Sequence, residues 1–357
     1  MAHEYASPIV ITGGTGFIAS YLAMRLLEQN KDERVLLIDS NPDMRRLTGF
    51  KERYDRVKSR LTFVQGDITA REVILAIFDE DPKSVFHLAA LLSAGADANP
   101  TFGFDVDLLG TRNVLEAARI HSHRRQKDGT PVPMQVMFAS TIASFGEFIT
   151  PEALVGNEDK QFPTTMYGVS KVASERLGEY YNRKKWVDFR AVRFPSVVGA
   201  GRGPGGTTVY STLMIQQPAL ENPKPYEAYV AKETRLDVLY VEDAVSALIG
   251  LYNASNERLQ QRKRRVYNIA GIRIDKKAPQ ASDIEAAVRR QNPKAEITYN
   301  PDKGLLEIVH TFGILDDSAA RDDWSWPGAA YDLPKAVEAF FGDVKKYPGR
   351  IKAIELY

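Results

Sequence analysis

The sequence predicts an α/β protein, a doubly wound parallel sheet carrying a smaller C-terminal lobe. Three observations predict it. From Pro8 to Arg193, short apolar, largely β-branched runs alternate with segments of helical period. A glycine-rich turn joins the first run to the first helix. Beyond about Gly199 the alternation breaks, with Gly and Pro clustered at 199–206 and again at 218–225. Strand–helix–strand repetition implies right-handed crossovers and a parallel sheet covered on both faces.

In chain order, Pro8–Thr12 reads as a strand and Gly16–Asn30 as a helix with Ile18, Leu22, Leu26 and Leu27 on one face. Arg34–Asp39 and Leu61–Gln65 are the next strands. Val73–Phe78 reads as a helix, Ser84–Ala89 as a strand and Phe102–Ile120 as one long helix. Polar His121–Pro133 ends in Pro-Val-Pro and predicts a surface loop. Met134–Ser140 is a buried strand, Thr165–Lys185 a helix and Val187–Arg193 a strand. Residues 1–198 then form the sheet domain, part of 236–270 returns to it, and 199–357 make mainly the smaller lobe, with helices at Glu242–Asn253 and Ser282–Gln291. The basic run Arg262–Arg265 has no interleaved aromatics and reads as a solvated loop face rather than an anion site. Trp324 and Trp326 read as packing residues of the lobe. No internal repeat is visible.

Composition narrows the function classes. Of 357 residues, 44% are hydrophobic, enough for a substantial core. A net charge of +1, from 47 basic and 46 acidic side chains, gives no global attraction to nucleic acid or to an anionic membrane. The absence of cysteine excludes disulfides, thiolate metal sites and a cysteine nucleophile. Met1–Pro8 is short and polar, without the pattern of a secretion signal, and no run reaches the length of a membrane span. A cytoplasmic enzyme is expected.

Ile9-Val10-Ile11-Thr12 runs into Gly13-Gly14-Thr15-Gly16-Phe17-Ile18-Ala19 and then into a helix. A strand, a glycine turn and a helix N-terminus are what a dinucleotide pyrophosphate requires: close backbone approach, free N–H groups and a positive dipole end. Asp39 ends the next strand, 23 residues after Gly16, where a carboxylate can accept from the adenine ribose and repel a 2′-phosphate. NAD is therefore expected over NADP, in a Rossmann domain.

Tyr-x-x-x-Lys occurs five times, at Tyr54/Lys58, Tyr167/Lys171, Tyr180/Lys184, Tyr181/Lys185 and Tyr299/Lys303. Spacing alone does not choose among them. Only Tyr167 opens a long helix after a buried strand ending in Ser140-Thr141; the other pairs read as solvated. Residues four apart share a helix face. An ammonium there, with a positively charged nicotinamide, favours phenolate. Tyr167 can then take the proton of a substrate hydroxyl as hydride leaves carbon, with Thr141 holding the substrate oxygen and Lys171 also holding the nicotinamide ribose.

These segments, together with His87-Leu88-Ala89-Ala90, Gly110-Thr111-Arg112-Asn113-Val114-Leu115-Glu116-Ala117 and Tyr167-Gly168-Val169-Ser170-Lys171, resemble the extended short-chain dehydrogenases, which include sugar-nucleotide epimerases and dehydratases. The resemblance spans nearly the whole chain. It narrows toward short-chain-type L-threonine 3-dehydrogenases through Leu91-Leu92-Ser93-Ala94 with Asn99-Pro100, Arg193-Phe194-Pro195, Pro204-Gly205-Gly206-Thr207-Thr208, Glu233-Thr234-Arg235-Leu236, Leu315–Arg321 and Asp323–Trp326. It implies a cofactor held by Gly13, Thr15, Gly16, Phe17 and Ile18. Asp39 would take the ribose, Asp67 and Ile68 would flank the adenine, and Leu88, Ala89, Ala90, Lys171 and Pro195 would line the channel. It implies a substrate held in the smaller lobe and at its border by Ser93, Thr141, Tyr167, Thr207 and Thr208. Ser93 also suits a turn cap, and the threonines a turn after the glycine pair.

Four positions depart from the family pattern. Ala19 replaces the third loop glycine, Asp107 an asparagine that braces the active-site helix, Val209 an aspartate able to attract a substrate ammonium, and Leu236 a diphosphate-gripping arginine, with Arg235 displaced by one. The expected activity is NAD-dependent oxidation of a secondary hydroxyl on a small polar substrate, L-threonine to 2-amino-3-oxobutanoate or a related hydroxy acid, by a homodimer formed through Phe102–Ile120 and Thr165–Lys185. The alternatives are a sugar-nucleotide epimerase or dehydratase and a non-catalytic dinucleotide-binding protein.

Overall fold

Seven strands make the central sheet: β1 (Ile9–Thr12), β2 (Val35–Asp39), β3 (Leu61–Gln65), β4 (Ser84–His87), β5 (Met134–Thr141), β6 (Val187–Phe194) and β7 (Val266–Asn268). Their order is β7-β6-β5-β4-β1-β2-β3, every pair parallel, which is the Rossmann-like arrangement expected. The structure, a computed structural model, describes residues 7–127 and 129–352. Met1–Ala6, on which the reading of the N-terminus mostly rests, lie outside the described residues. The main helices are α1 (Phe17–Gln29), α2 (Arg71–Phe78), α3 (Gly110–Arg124), α4 (Met166–Arg183), α5 (Tyr210–Ala219), α6 (Val241–Asn253), α7 (Ala281–Gln291) and α8 (Leu333–Lys346).

Alternation along the strands divides the core into two. Ile9, Ile11, Leu37, Phe86 and Met137 pack with α1 and α6 on one face. Val10, Leu36, Ile38, Val85, Val136 and Phe138 pack with α2 and α3 on the other. Both strand faces are apolar because both are covered, as a parallel sheet requires. Beyond β6, α5, α7 and α8 pack on one another. Short parallel pairs, Ser196–Val198 with Val238–Tyr240 and Leu154–Val155 with Ile314–Leu315, stitch distant segments together. Trp324 and Trp326 are buried packing residues as expected.

Four local expectations are corrected. Phe102–Ile120 is not one regular helix: a turn at Pro100–Phe104 leads into a π-turn at Asp105–Leu109 before α3 begins. The Asp107 carbonyl there accepts the hydroxyls of Thr111 (2.6 Å) and Ser174 (3.0 Å), side chains far apart in sequence. His121–Pro133 is not simply a loop. Helix α3 continues to Arg124 because His121 and Ser122 are buried, Ser122 accepting from Met134 N (2.8 Å), and Gln126–Lys127 pairs with Thr130–Pro131 in a hairpin. The run Arg262–Arg265 is solvated only in its first half: Arg262 and Lys263 are exposed, whereas Arg264 meets Asp323 at 2.6 Å and buried Arg265 meets Asp188 at 3.1 Å. Tyr181 is buried against Trp186 and bonded to Glu116, not solvated.

Two buried arginines tie segments distant in the chain together. Arg193 on β6 donates twice to Glu175 of α4 (2.9 and 2.8 Å), and Glu175 also accepts from Ser140 at the end of β5. Arg350, from the short helix Pro348–Lys352, lies over the rings of Tyr21 and Phe50 (4.1 and 3.8 Å), donates to Arg46 O and bonds Ser20 Oγ. Removing one partner of a buried pair strands the other charge, typically at about 3–5 kcal/mol. Glu175→Ala should therefore lose about that much stability in urea unfolding, whereas Asp55→Ala, at the exposed Lys58 pair, should leave the midpoint almost unmoved. Equal losses would contradict this account of the α4–β6 join.

Candidate active site

The sheet order reverses between β1 and β4, so a crevice opens at their C-terminal ends, where Thr12 and His87 stand opposite each other. Thr12 Oγ1 is 2.6 Å from His87 Nδ1, and His87 Nε2 is 2.9 Å from Thr111 Oγ1. Burial, helped by the Lys171 charge, pushes the His87 pKa down to about 3, so this imidazole is a neutral strut. The strut holds the strand ends while Gly13 turns over Ala89. Gly13 has φ +67°, and a Cβ there would sit 2.7 Å from Ala89 N. A Cβ on Gly16 would fall 2.8 Å from Gly13 O. Helix α1 starts at Gly16 with no side-chain cap and no acid in its first turn. This cradle fits a dinucleotide pyrophosphate: the backbone is bare and the first N–H groups are open. Asp39 ends β2 beside it, accepting from Thr15 N (3.1 Å), Thr15 Oγ1 (2.8 Å) and Asn41 N (3.0 Å). Ala19 is buried, so its methyl is accommodated.

A cavity of about 350 Å³ runs from this cradle past the ends of β5 and β6. Gly13, Gly16, Phe17, Ile18, Leu88, Ala90 and Pro195 line its cofactor side. Ser93, Thr141, Tyr167, Lys171, Thr207 and Thr208 line the remainder. Of the five Tyr-x-x-x-Lys pairs, only Tyr167/Lys171 reaches it. Thr15, Asp39, Asp67, Ile68 and Ala89 do not line this cavity. Thr15 is turned to Asp39, Asp67 is exposed and bonded to Thr69 N (2.8 Å), buried Ile68 packs in the core beside α2, and Ala89 N donates to Thr12 Oγ1 (3.3 Å). Val209 lies outside the lining, buried before α5, so the absence of a carboxylate at this position does not itself shape the pocket wall. Leu236 is buried and Arg235 donates to Ala278 O (2.7 Å); neither reaches the cavity.

Thr141 ends β5 and its Oγ1 accepts from Ala143 N (3.1 Å); Tyr167 follows the Thr165 cap of α4, which accepts from Gly168 N (3.1 Å). Lys171 Nζ donates to Ala139 O (2.8 Å) and stands 5.4 Å from the Tyr167 ring centroid. Burial pulls its pKa down to about 8, against the opposing fields of Asp107 and Glu175. The Tyr167 phenol is pushed up, chiefly by burial and then by Asp107, while Thr141 and Arg202 pull the other way. The expected lowering combines the Lys171 ammonium with a nicotinamide charge, and burial and Asp107 are what the two must overcome. Asp107 Oδ1 accepts from Leu91 N (2.7 Å) and Oδ2 is buried without a partner; burial lifts its pKa to about 6 despite Lys171.

Sequence reasoning missed Arg202 and Arg46, which also line the cavity. Neither sits in a recognisable motif; Arg202 hides in a glycine-proline cluster and Arg46 in a short helix after β2.

The Asp107 carboxylate raises the Tyr167 pKa, so its removal must lower it. For a reaction needing phenolate, Asp107→Asn should move the rising limb of the pH–kcat/KM profile to lower pH. An unchanged or upward-shifted limb contradicts this electrostatic assignment.

Residues 9–270 match the model of the NAD dependent epimerase/dehydratase family. An uncharacterized epimerase/dehydratase of Staphylococcus haemolyticus is 31% identical over 92% of this chain and 95% of its own. The structure is similar to L-threonine dehydrogenase from Phytophthora infestans (TM-score 0.79, 30% identity, 95% of this chain and 99% of that one). It is also similar to the holo form of a GalE-like L-threonine dehydrogenase from Cupriavidus necator (TM-score 0.80, 30% identity, 94% and 99%). With the glycine cradle, the acid at the end of β2 and the seven-stranded parallel sheet in place, the chain belongs to the NAD-dependent epimerase/dehydratase family, the extended short-chain dehydrogenases.

Proposed function

We propose that this enzyme oxidises the secondary hydroxyl of a small polar substrate, with L-threonine or a related hydroxy acid as the substrate class. The observation that carries the reading is the convergence of Thr141, Tyr167 and Lys171 with Ser93, Thr207 and Thr208 in one compact cavity beside the glycine cradle. Bound NAD supplies the hydride acceptor. Thr141 and Tyr167 hold the reacting oxygen between them, and Tyr167 takes its proton. Lys171, pinned on Ala139 O, holds its ammonium on the cofactor side of that phenol. Arg202 and the hydrogen bond from Thr141 favour the deprotonated phenol against burial and Asp107, and the positive nicotinamide of bound NAD adds to them. Ser93, Thr207 and Thr208 offer hydroxyls to the rest of the molecule. The missing arginine at Leu236 argues against a sugar-nucleotide diphosphate.

The reading includes a cytoplasmic homodimer. Phe102, Phe104, Val169 and Tyr180 leave apolar surface exposed on the two helical segments expected at its interface. Among the described residues, no helix is long and apolar enough to cross a membrane.

Tyr167→Phe should lower kcat by about 10²–10⁴-fold, the usual worth of a general acid–base group, with NAD affinity retained; Tyr54→Phe should be silent. If both lose activity alike, the choice of Tyr167 is wrong. Asp39 should make kcat/KM higher with NAD than with NADP, and Asp39→Ala should narrow the gap. Equal use of both cofactors by the wild type would refute that role. Sedimentation at micromolar concentration should show a dimer, and a monomer would remove the proposed interface.

A further inference from the structure

Every charged side chain lining the cavity is a cation: Arg46, Lys171 and Arg202. No aspartate or glutamate among the described residues lines it. Arg46 stands at the cradle end, within reach of Thr15 O, where a pyrophosphate would lie. Lys171 serves the reacting end. Arg202 is left facing the part of the cavity that Thr207 and Thr208 enclose.

The Arg202 fork is fixed in place by neutral acceptors only. Nη1 donates to Ser196 Oγ (3.0 Å), Val197 O (2.9 Å) and Thr212 Oγ1 (3.3 Å), and Nη2 to Thr208 Oγ1 (3.0 Å). No carboxylate of the described residues pairs with it. Burial lowers its pKa to about 10, with Tyr229 and Tyr167 opposing, so at neutral pH it keeps its charge. Arg202 is half-buried, and a guanidinium drawn partly out of water without a counter-charge is costly. A planar fork anchored along one side matches a carboxylate in a way that a hydroxyl-lined wall does not. Thr208 Oγ1 accepts from both Arg202 and Ser196 (2.9 Å), which leaves its own proton for an incoming oxygen.

An ammonium on the substrate has the opposite problem. Next to Arg202 it would find no lining acid to pair with, Asp107 standing behind the wall beside Lys171, and a buried unpaired ammonium is unfavourable. We propose that Arg202 binds the carboxylate of the substrate, and that the preferred substrate is a hydroxy acid carrying no free ammonium. This rests on the dehydrogenase reading above and narrows its substrate class.

The test compares short-chain hydroxy acids with their primary amides and with L-threonine, as substrates for NAD reduction and, by calorimetry, as ligands of the NAD-saturated enzyme. Wild type, Arg202→Lys and Arg202→Gln are used. The acids should be preferred over the amides and over threonine. Arg202→Gln should cost the best acid about 10- to 100-fold in kcat/KM, the usual scale of a hydrogen bond to a charged group, and cost its amide far less. Arg202→Lys should recover part of the loss, and NAD affinity should stay nearly unchanged in both. Equal use of acid and amide, a preference for threonine, or a Gln variant that loses acid and amide alike would overturn the assignment. If Arg202→Gln does not fold, the acid-to-amide ratio in wild type and Arg202→Lys decides. Arg202-dependent binding of acids without NAD reduction would sink the dehydrogenase reading and leave Arg202 as the carboxylate site. Tyr167-dependent oxidation of uncharged alcohols, indifferent to Arg202, would do the reverse.

Discussion

The register that sets Thr12 opposite His87 is the constraint on which the site depends. It aligns the ends of β1 and β4 where the sheet changes winding direction, and the Thr12–His87–Thr111 column locks that alignment with buried hydrogen bonds. A slip of one residue would turn Thr12 and His87 to opposite faces. The glycine turn would then lose the narrow gap above Ala89 that only a residue without a Cβ can enter. The position of α1, and with it the open N–H groups, follows from this one pairing.

Around that frame the protein buries charges in opposed sets. Glu175 and Arg193 pair bidentately, with Ser140 and Asn268 completing the cluster. Asp107 and Lys171 do not: each is held away from its ordinary pKa by burial, and each partly offsets the other. The difference separates structure from chemistry. A closed pair is a fastener, and an open pair leaves a field that acts on its neighbour, here the phenol of Tyr167. The π-turn at 105–109 is what brings the acid into that field, since it presents the Asp107 side chain to Leu91 N and its carbonyl to Ser174 of α4.

Local chemistry was legible in the sequence. The glycine turn, Asp39 and the Tyr167/Lys171 pair are each read from a short segment and its neighbours, because backbone sterics and helix periodicity act over a few residues. The sheet was legible for the same reason: its strands are short apolar runs bounded by turn residues. What escaped was set by partners distant in the chain. The π-turn depends on a hydroxyl from α4, the continuation of α3 depends on Met134, and Tyr181 is buried by Trp186 and Glu116. Arg202 drew no reading because its acceptors, Ser196, Val197, Thr208 and Thr212, become a socket only once the loop folds over the end of β6. Val209 is a similar case: its place in a motif was clear, but it stands just before α5, outside the cavity lining.

Arg350 has a bearing on how the chain reaches this state. It closes over Tyr21 and Phe50 and bonds Ser20 across a separation of 330 residues. The helix that opens the dinucleotide cradle therefore receives its last covering only after the smaller lobe has been made. Contacts of such long range are formed late, because the intervening loop must close first. On a ribosome, the N-terminal half would emerge with an aromatic face uncovered, a surface for a chaperone to shield until the final helix docks. Maturation of the cradle and completion of the lobe are thus one event, timed by a single arginine.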